Sequence, residues 1–284
     1  MNNETLLVSL TSHTPRINTV VNTLLCLYKG LKDYNAKIVF VLSEEEFPYH
    51  IDSLPEKLKY FISNVDPNKF EIIFDKGNIR AHKKLMPTLE KYPDNDILCV
   101  DDDKYYGINL LDNFINTHKK YPNDVIVGRS HFRIIPIDGE FISVKMAPFN
   151  VQWESPLMNL FNCKQASGLS GTLYPHGTFT NPKFFDRELM MKICEHSDED
   201  WQFMFNIIDD RTLRTGCKII EYPDNNGYTE CALCNNYGQV YYEQYYKKFN
   251  KIFPEFYDKL EYLEKQFEAK YHELSQYNIE DIMK

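Results

Sequence analysis

Ile97-Leu98-Cys99-Val100 runs straight into Asp101-Asp102-Asp103. Four apolar residues between the turn-like Tyr92-Pro93-Asp94-Asn95 and three acids have the length and flanks of a buried parallel strand, covered on both faces. The acids then mark its carboxyl end, the edge at which open α/β sheets bind ligands. If the chain stays extended there, Asp101 and Asp103 project to one side and Asp102 to the other. Two hard oxygen ligands facing one way, beside room for phosphates, suit Mg²⁺ or Mn²⁺. An acidic triplet is equally at home on a solvated loop or capping a helix, so the rest of the chain decides.

Around this run, strand and helix patterns alternate. Leu6–Leu10, Lys37–Ser43 and Phe70–Asp75 read as buried strands. Ile17 to Leu31 has helical apolar spacing, and Ser53-Leu54-Pro55-Glu56 reads as a capping box opening a helix to Asn64. A helix follows from Ile108 to Tyr121, then one long strand over Asp124–Ile135. Such alternation predicts an α/β fold with a mostly parallel, right-handed central sheet flanked by helices. Pro182 to Glu195 reads as a further helix and Lys218–Tyr222 as a last short strand. From Gln239 the pattern is helical, broken at Pro254, so residues 1–238 form the expected main domain and 239–284 a helical extension.

Charge and cysteines exclude several classes. The net charge of −9 argues against a nucleic-acid surface, which needs a basic stripe. No apolar run has the length of a membrane span and Met1-Asn2-Asn3-Glu4 lacks the basic start of a signal peptide, which points to a cytosolic protein. The amphipathic C-terminal pattern fits packing on the core or on a second copy, with peripheral attachment to the inner membrane face as the alternative. The seven cysteines are scattered and odd in number, as reduced thiols are. Cys231 and Cys234 alone have metal-like spacing, and with Cys217 and Cys194 as the nearest completions they make a weak zinc pattern.

Polar side chains gather where the predicted strands end. Thr11, Ser12, His13 and Arg16 follow the first strand, and Arg80, Lys83 and Lys84 follow the third. Cations so placed can meet a diphosphate or orient a carboxylate, although a solvated helix face explains them as well. The stretch Gly168–Gly177, including Gly171, would let backbone approach a ligand closely, or would simply turn. Ser197-Asp198-Glu199-Asp200-Trp201 is a second acidic cluster. Its spacing is that of a helix cap, yet a carboxylate beside an aromatic ring also suits a general base at a sugar.

Taken together, Val8–Ile17, His82-Lys83-Lys84-Leu85-Met86-Pro87, Val100–Asp103, Gly128-Arg129-Ser130-His131 and Ser197–Trp201 resemble a family of bacterial GT-A glycosyltransferases similar to glycosyltransferase family 2, which act in surface polysaccharide assembly. The resemblance spans roughly residues 5 to 222. It implies a Rossmann-like GT-A sheet, a nucleotide-diphosphate-sugar donor with a UDP-sugar favoured, a glycan or lipid-linked acceptor, and Mn²⁺ or Mg²⁺ on Asp101 and Asp103. Donor binding then falls to Thr11, Ser12, Arg16, Arg80, Lys83, Lys84, Asp101 and Asp102, and acceptor binding to His131, Gly171 and Trp201. The late acid acting as base maps onto Asp198, Glu199 or Asp200, with Asp200 favoured as the second acid of a Glu-Asp pair. Trp153, Tyr174 and Trp201 are candidates to stack on sugar faces, with core packing as the alternative. Lys104 departs from the family, which usually has an apolar residue there.

Two rival classes share these features. A sugar nucleotidyltransferase or metal-dependent phosphohydrolase also needs carboxylates at a sheet edge, but a nucleotidyltransferase is expected to carry a Gly-rich basic loop after strand one, and Thr11–Arg16 has no glycine. A non-catalytic carbohydrate-binding protein of the same fold is the other.

Overall fold

A computed structural model of the chain describes residues 5–31, 33–132, 164–166, 171–215, 221–223 and 240–274. Its centre is a seven-stranded sheet. The first strands are β1 (Leu6–Thr11), β2 (Ala36–Ser43), β3 (Phe70–Asp75) and β4 (Ile97–Cys99), all mutually parallel and ordered β3-β2-β1-β4. The short strand β5 (Lys104–Tyr106) leaves this sheet. β6 (Val125–Val127) returns to it, and β7 (Ser130–Phe132) pairs antiparallel with β8 (Lys164–Ala166) in a separate ribbon. β9 (Thr172–Tyr174) lies antiparallel between β4 and β6, and β10 (Leu213–Thr215) closes the edge parallel to β6. β11 (Glu221–Pro223) pairs antiparallel with β5.

Side-chain alternation along the strands divides the core in two. Val8, Leu10, Ile38, Phe40, Leu42, Leu98, Val100 and Ile126 face one layer, which holds α1 (Val20–Gly30), α2 (Glu56–Asn64) and α4 (Leu110–Lys120). Leu7, Val39, Val41, Ile97, Cys99, Val125 and Val127 face the other, with α3 (Met86–Lys91), α5 (Arg187–Cys194) and α6 (Asp198–Ile208). Burial on both faces is why the strands read as continuous apolar runs.

The C-terminal helices α7 (Val240–Asn250) and α8 (Glu255–Leu274) lie on α5 and α6. Tyr246, Phe249 and Phe256 are fully buried and Tyr245, Phe253 and Leu260 nearly so, in the same apolar cluster as Trp201 and Phe205. The extension is thus part of the core of this layer. The boundary expected at 238 lies outside the described residues, as do Trp153, Cys217, Cys231 and Cys234.

Three expectations change. The long strand over 124–135 is two strands in different sheets, broken at Gly128-Arg129, with residues 133–135 outside the described part. The capping box at Ser53 does not form, because Pro55 is the N-cap of α2 and the Ser53 hydroxyl accepts from the Tyr49 N–H at 2.9 Å. The helix expected from Pro182 is a 3₁₀ turn (Pro182–Phe185) followed by α5, whose N-cap Asp186 accepts from the Leu189 N–H.

Candidate active site at the carboxyl edge of the sheet

β1 pairs with β2 on one side and β4 on the other, so the strand order reverses at β1. The crevice beyond the carboxyl ends of β1 and β4 is the topological switch point of the fold. Thr11–Arg16 and Val100–Asp103 both emerge there. The chain does not stay extended after Val100, as the alternating projection of Asp101 and Asp103 required; it turns at Asp102-Asp103 into β5. Thr23 on α1 shapes this turn, its hydroxyl bonding to the carbonyls of Asp102 (2.8 Å) and Lys104 (2.9 Å). The Tyr106 hydroxyl accepts from the Asp101 N–H at 2.8 Å.

Asp102 faces the first loop. Ser12 Oγ donates to it at 2.6 Å and Arg16 Nη1 at 2.9 Å, and the same guanidinium nitrogen lies 3.2 Å from Asp103 Oδ2. Burial opposes the charge of Arg16, but Asp102 and Asp103 outweigh it and raise its pKa. Asp103 is different. Its Oδ1 is buried without a hydrogen-bond partner, with the Lys104 ammonium 3.9 Å away. Burial, followed by the charge of Asp101, raises its pKa, which Arg16 only partly offsets. A hard divalent cation commonly takes one or two carboxylates with phosphate oxygens completing its shell, and the orphaned Asp103 oxygen beside Asp101 fits that donor set. Among the described residues no group of three His, Cys, Asp or Glu side chains is placed to hold a metal by protein ligands alone.

Lys84 joins the two acidic clusters. It ends a 3₁₀ turn (Arg80–Lys84), and its carbonyl accepts from the Ser9 hydroxyl of β1 at 2.6 Å. Its ammonium donates to Asp101 Oδ1 at 2.6 Å and lies 3.4 Å from Asp198 Oδ2. Burial alone would lower its pKa, but Asp101 and Asp198 outweigh that and hold it well above the ordinary lysine value. Asp198 and Glu199, in the first turn of α6, line one cleft with Lys84 and Cys99.

The other candidates are placed as follows. Asp200 faces away from the cleft. It is fully buried, accepts from Ser197 Oγ (2.5 Å) and Tyr246 Oη (2.8 Å), and its N–H is capped by Ser197. Its assignment as the base is therefore corrected: both oxygens serve structure. Trp201 is likewise no acceptor platform. It is 1% exposed, its indole donates to the Phe184 carbonyl at 3.2 Å, and it stacks among Phe184, Phe205 and Phe249. Tyr174 is also a core residue. Gly171 is buried at φ +84°, and a Cβ there would meet the Phe114 ring at 3.3 Å, so the close approach its glycine permits is to Phe114 rather than to a ligand.

Among the cations, Arg80 is exposed and pairs with His196 (2.7 Å) and Glu195 (3.7 Å), away from the acid turn. Lys83 is 2% exposed and bonds Asn78 (2.6 Å) and Glu46 (3.4 Å); burial lowers its pKa and Glu46 only partly restores it. Thr11 Oγ1 donates to the Val41 carbonyl at 2.8 Å, so its hydroxyl serves the sheet and not a donor. His131 sits on β7 opposite Gln165. Thr23, Tyr106, Gln202 and Tyr246 complete the local architecture and escaped sequence reasoning. Thr23 left one signal, a lone hydroxyl on the apolar face of α1 beside Val20, Leu24 and Leu27.

The fold and the crevice together define a doubly wound α/β protein with two carboxylate clusters at its switch point. No protein-family model matches the sequence, and no curated protein matches it. Among solved structures it is similar to S. aureus TarS 1-349 in complex with UDP, at 13% identity and TM-score 0.41, over 75% of this chain and 58% of that one. It is also similar to UDP-glucose pyrophosphorylase from Acinetobacter baumanii, at 13% identity and TM-score 0.45, over 77% and 88% of the two chains. A UDP-glucose pyrophosphorylase complexed with UDP-glucose matches at 8% identity and TM-score 0.43, over 87% and 99%. The chain spans little more than half the length of the TarS structure.

Proposed function

We propose that the protein is a metal-dependent, inverting glycosyltransferase that uses a nucleotide-diphosphate sugar, with a UDP-sugar as the favoured donor and a glycan or lipid-linked hydroxyl as acceptor. The observation that carries this reading is the Lys84 ammonium seated between Asp101 and Asp198, which brings two acidic clusters far apart in sequence to one crevice. Asp101 and Asp103 would hold the cation, which when bound supplies Lewis-acid stabilisation of the departing diphosphate. Arg16 and Lys84 add fixed positive charge on the same side. Glu199, half-buried and lining the cleft, is the base best placed to reach a ligand. The acceptor oxygen bonds to the anomeric carbon as the bond to the diphosphate oxygen breaks; Glu199 takes the hydroxyl proton and the nucleoside diphosphate leaves. Asp198, paired with Lys84, fixes that lysine rather than abstracting a proton.

The test combines binding and product release. UDP with Mn²⁺ is expected to raise the thermal midpoint, and Asp103→Asn to remove the metal-dependent part of that rise while unfolding stays cooperative. With UDP-glucose and UDP-N-acetylglucosamine, release of UDP rather than pyrophosphate separates a glycosyltransferase from a nucleotidyltransferase. Glu199→Gln is expected to lower UDP release at least ~100-fold with UDP binding retained. No shift with any nucleoside diphosphate in Mn²⁺ or Mg²⁺ would defeat the reading.

A further inference from the structure

The turn Arg80–Lys84 meets the segment Cys194–Asp198 through three of its side chains. Arg80 Nη1 lies 2.7 Å from His196 Nδ1, His82 Nε2 lies 2.7 Å from the Cys194 carbonyl oxygen, and the Lys84 ammonium lies 3.4 Å from Asp198 Oδ2. These contacts are unequal. Arg80 and Lys84 reach side chains with long flexible stems, so they can follow a partner that shifts. His82 is a short rigid ring, 3% exposed, and of the three it alone grips the main chain of the segment. Burial holds its imidazole below the usual histidine range, and Asp198 and the Cys194 carbonyl only partly offset that while Lys84 and Lys83 add to it. The ring is therefore neutral at pH 7 with a single N–H, and since a carbonyl only accepts, that proton sits on Nε2.

The bond closes a path between the two acidic clusters. Cys194 ends α5, its thiol donates to the Ser197 carbonyl at 3.0 Å, and Ser197 is the N-cap of α6, whose first residues are Asp198 and Glu199. At its other end the turn that carries His82 is anchored on β1, where the Ser9 hydroxyl donates to the Lys84 carbonyl at 2.6 Å. The main chain just before the acidic turn of α6 is thus tied to the strand end beside which Lys84 meets Asp101. We propose that His82 is a positioning residue, which through the Cys194 carbonyl holds the first turn of α6 where Asp198 pairs with Lys84 and Glu199 faces the crevice. The proposal rests on the glycosyltransferase reading above, in which Glu199 is the base.

The native chain is compared in Mn²⁺ with His82→Leu, His82→Gln and His82→Asn. A glutamine amide can place an N–H where the imidazole Nε2–H lies, whereas an asparagine amide falls one carbon short and leucine has no donor. UDP is expected to bind all four with unchanged stoichiometry and a dissociation constant within about twofold of native, because the diphosphate belongs to the side of Asp101 and Asp103. The kcat for UDP release from UDP-glucose or UDP-N-acetylglucosamine should fall about 10- to 100-fold in His82→Leu and His82→Asn, the scale for a displaced catalytic group, and stay within about threefold of native in His82→Gln. A misfolded fraction would lower the binding stoichiometry along with the rate, so constant stoichiometry separates positioning from stability. Native-like turnover by His82→Leu or His82→Asn overturns the proposal, as does an equal fall in all three variants or a loss of UDP binding in step with turnover. So does failure of both His82→Leu and His82→Asn to fold, which would make the bond a requirement of the fold and not of the site. In each of these cases the glycosyltransferase reading stands as long as the native chain releases UDP. A native chain that releases none from either nucleotide sugar overturns that reading and this proposal with it.

Discussion

Lys84 is the residue on which the electrostatics of the crevice turn. Two carboxylates this close and this buried, at 19% and 10% side-chain exposure, repel each other and lose water, and the ammonium between them offsets both effects. Its own desolvation opposes that, which is why the Ser9 hydroxyl bond to its carbonyl matters: the main chain of the turn is fixed before the side chain reaches across. Lys84→Met would leave Asp101 and Asp198 without their shared cation, at a cost of about 3 kcal/mol or more at neutral pH. The loss is read as a fall in the urea midpoint at pH 7, and a Lys84→Met chain as stable as the native one would mean that the ammonium contributes nothing net between these carboxylates.

At the scale of elements, α6 divides its first turn between two tasks. Asp198 and Glu199 face the cleft while Ser197 and Asp200 close the cap, and Tyr246 of α7 reaches the same Asp200 carboxylate. Tyr246→Phe deletes that hydroxyl and keeps the ring in place, so it isolates the tether between α7 and the acidic turn. We expect a loss of about 1–3 kcal/mol, the penalty for a buried acceptor losing a partner, together with faster amide exchange in residues 198–201. Unchanged exchange there would show that α6 holds its first turn alone. The sequence disclosed the cap, because Ser197 and Asp200 are neighbours, but not the tether, whose partner is 46 residues away. The same rule covers the sheet. β1 to β4 were legible because each is an apolar run that carries its own signal. β5, β9 and β10 were not: three residues each, they become strands through distant neighbours, as Leu173 does between Leu98 and Ile126. The residues of both acidic clusters were likewise visible, but their orientations were not. A turn held by Thr23 replaced the extended acid strand, and that hydroxyl acts from another helix.

At the scale of the whole molecule, the two faces of the sheet are built from different parts of the chain. The helices of one layer, α1, α2 and α4, are complete by Lys120. The other takes α3, α5 and α6 and then waits for α7 and α8, whose Tyr245, Tyr246, Phe249, Phe253, Phe256 and Leu260 cover Trp201, Phe203 and Phe205. At roughly 1.5–3 kcal/mol for each fully buried side chain of this kind, before ordering entropy is subtracted, removing these helices withdraws an amount comparable to the whole net stability of an ordinary domain. It also uncovers the aromatic cluster and takes the Tyr246 bond from Asp200. A chain ending at residue 238 is therefore expected to lose cooperative urea unfolding, to bind an apolar dye and to associate, whereas an independent appendage would leave residues 1–238 with a sharp transition. Supplying residues 239–284 as a separate peptide distinguishes the two cases further. If these helices complete the core, the peptide restores the transition in proportion to its concentration, as a component that binds only the folded state must.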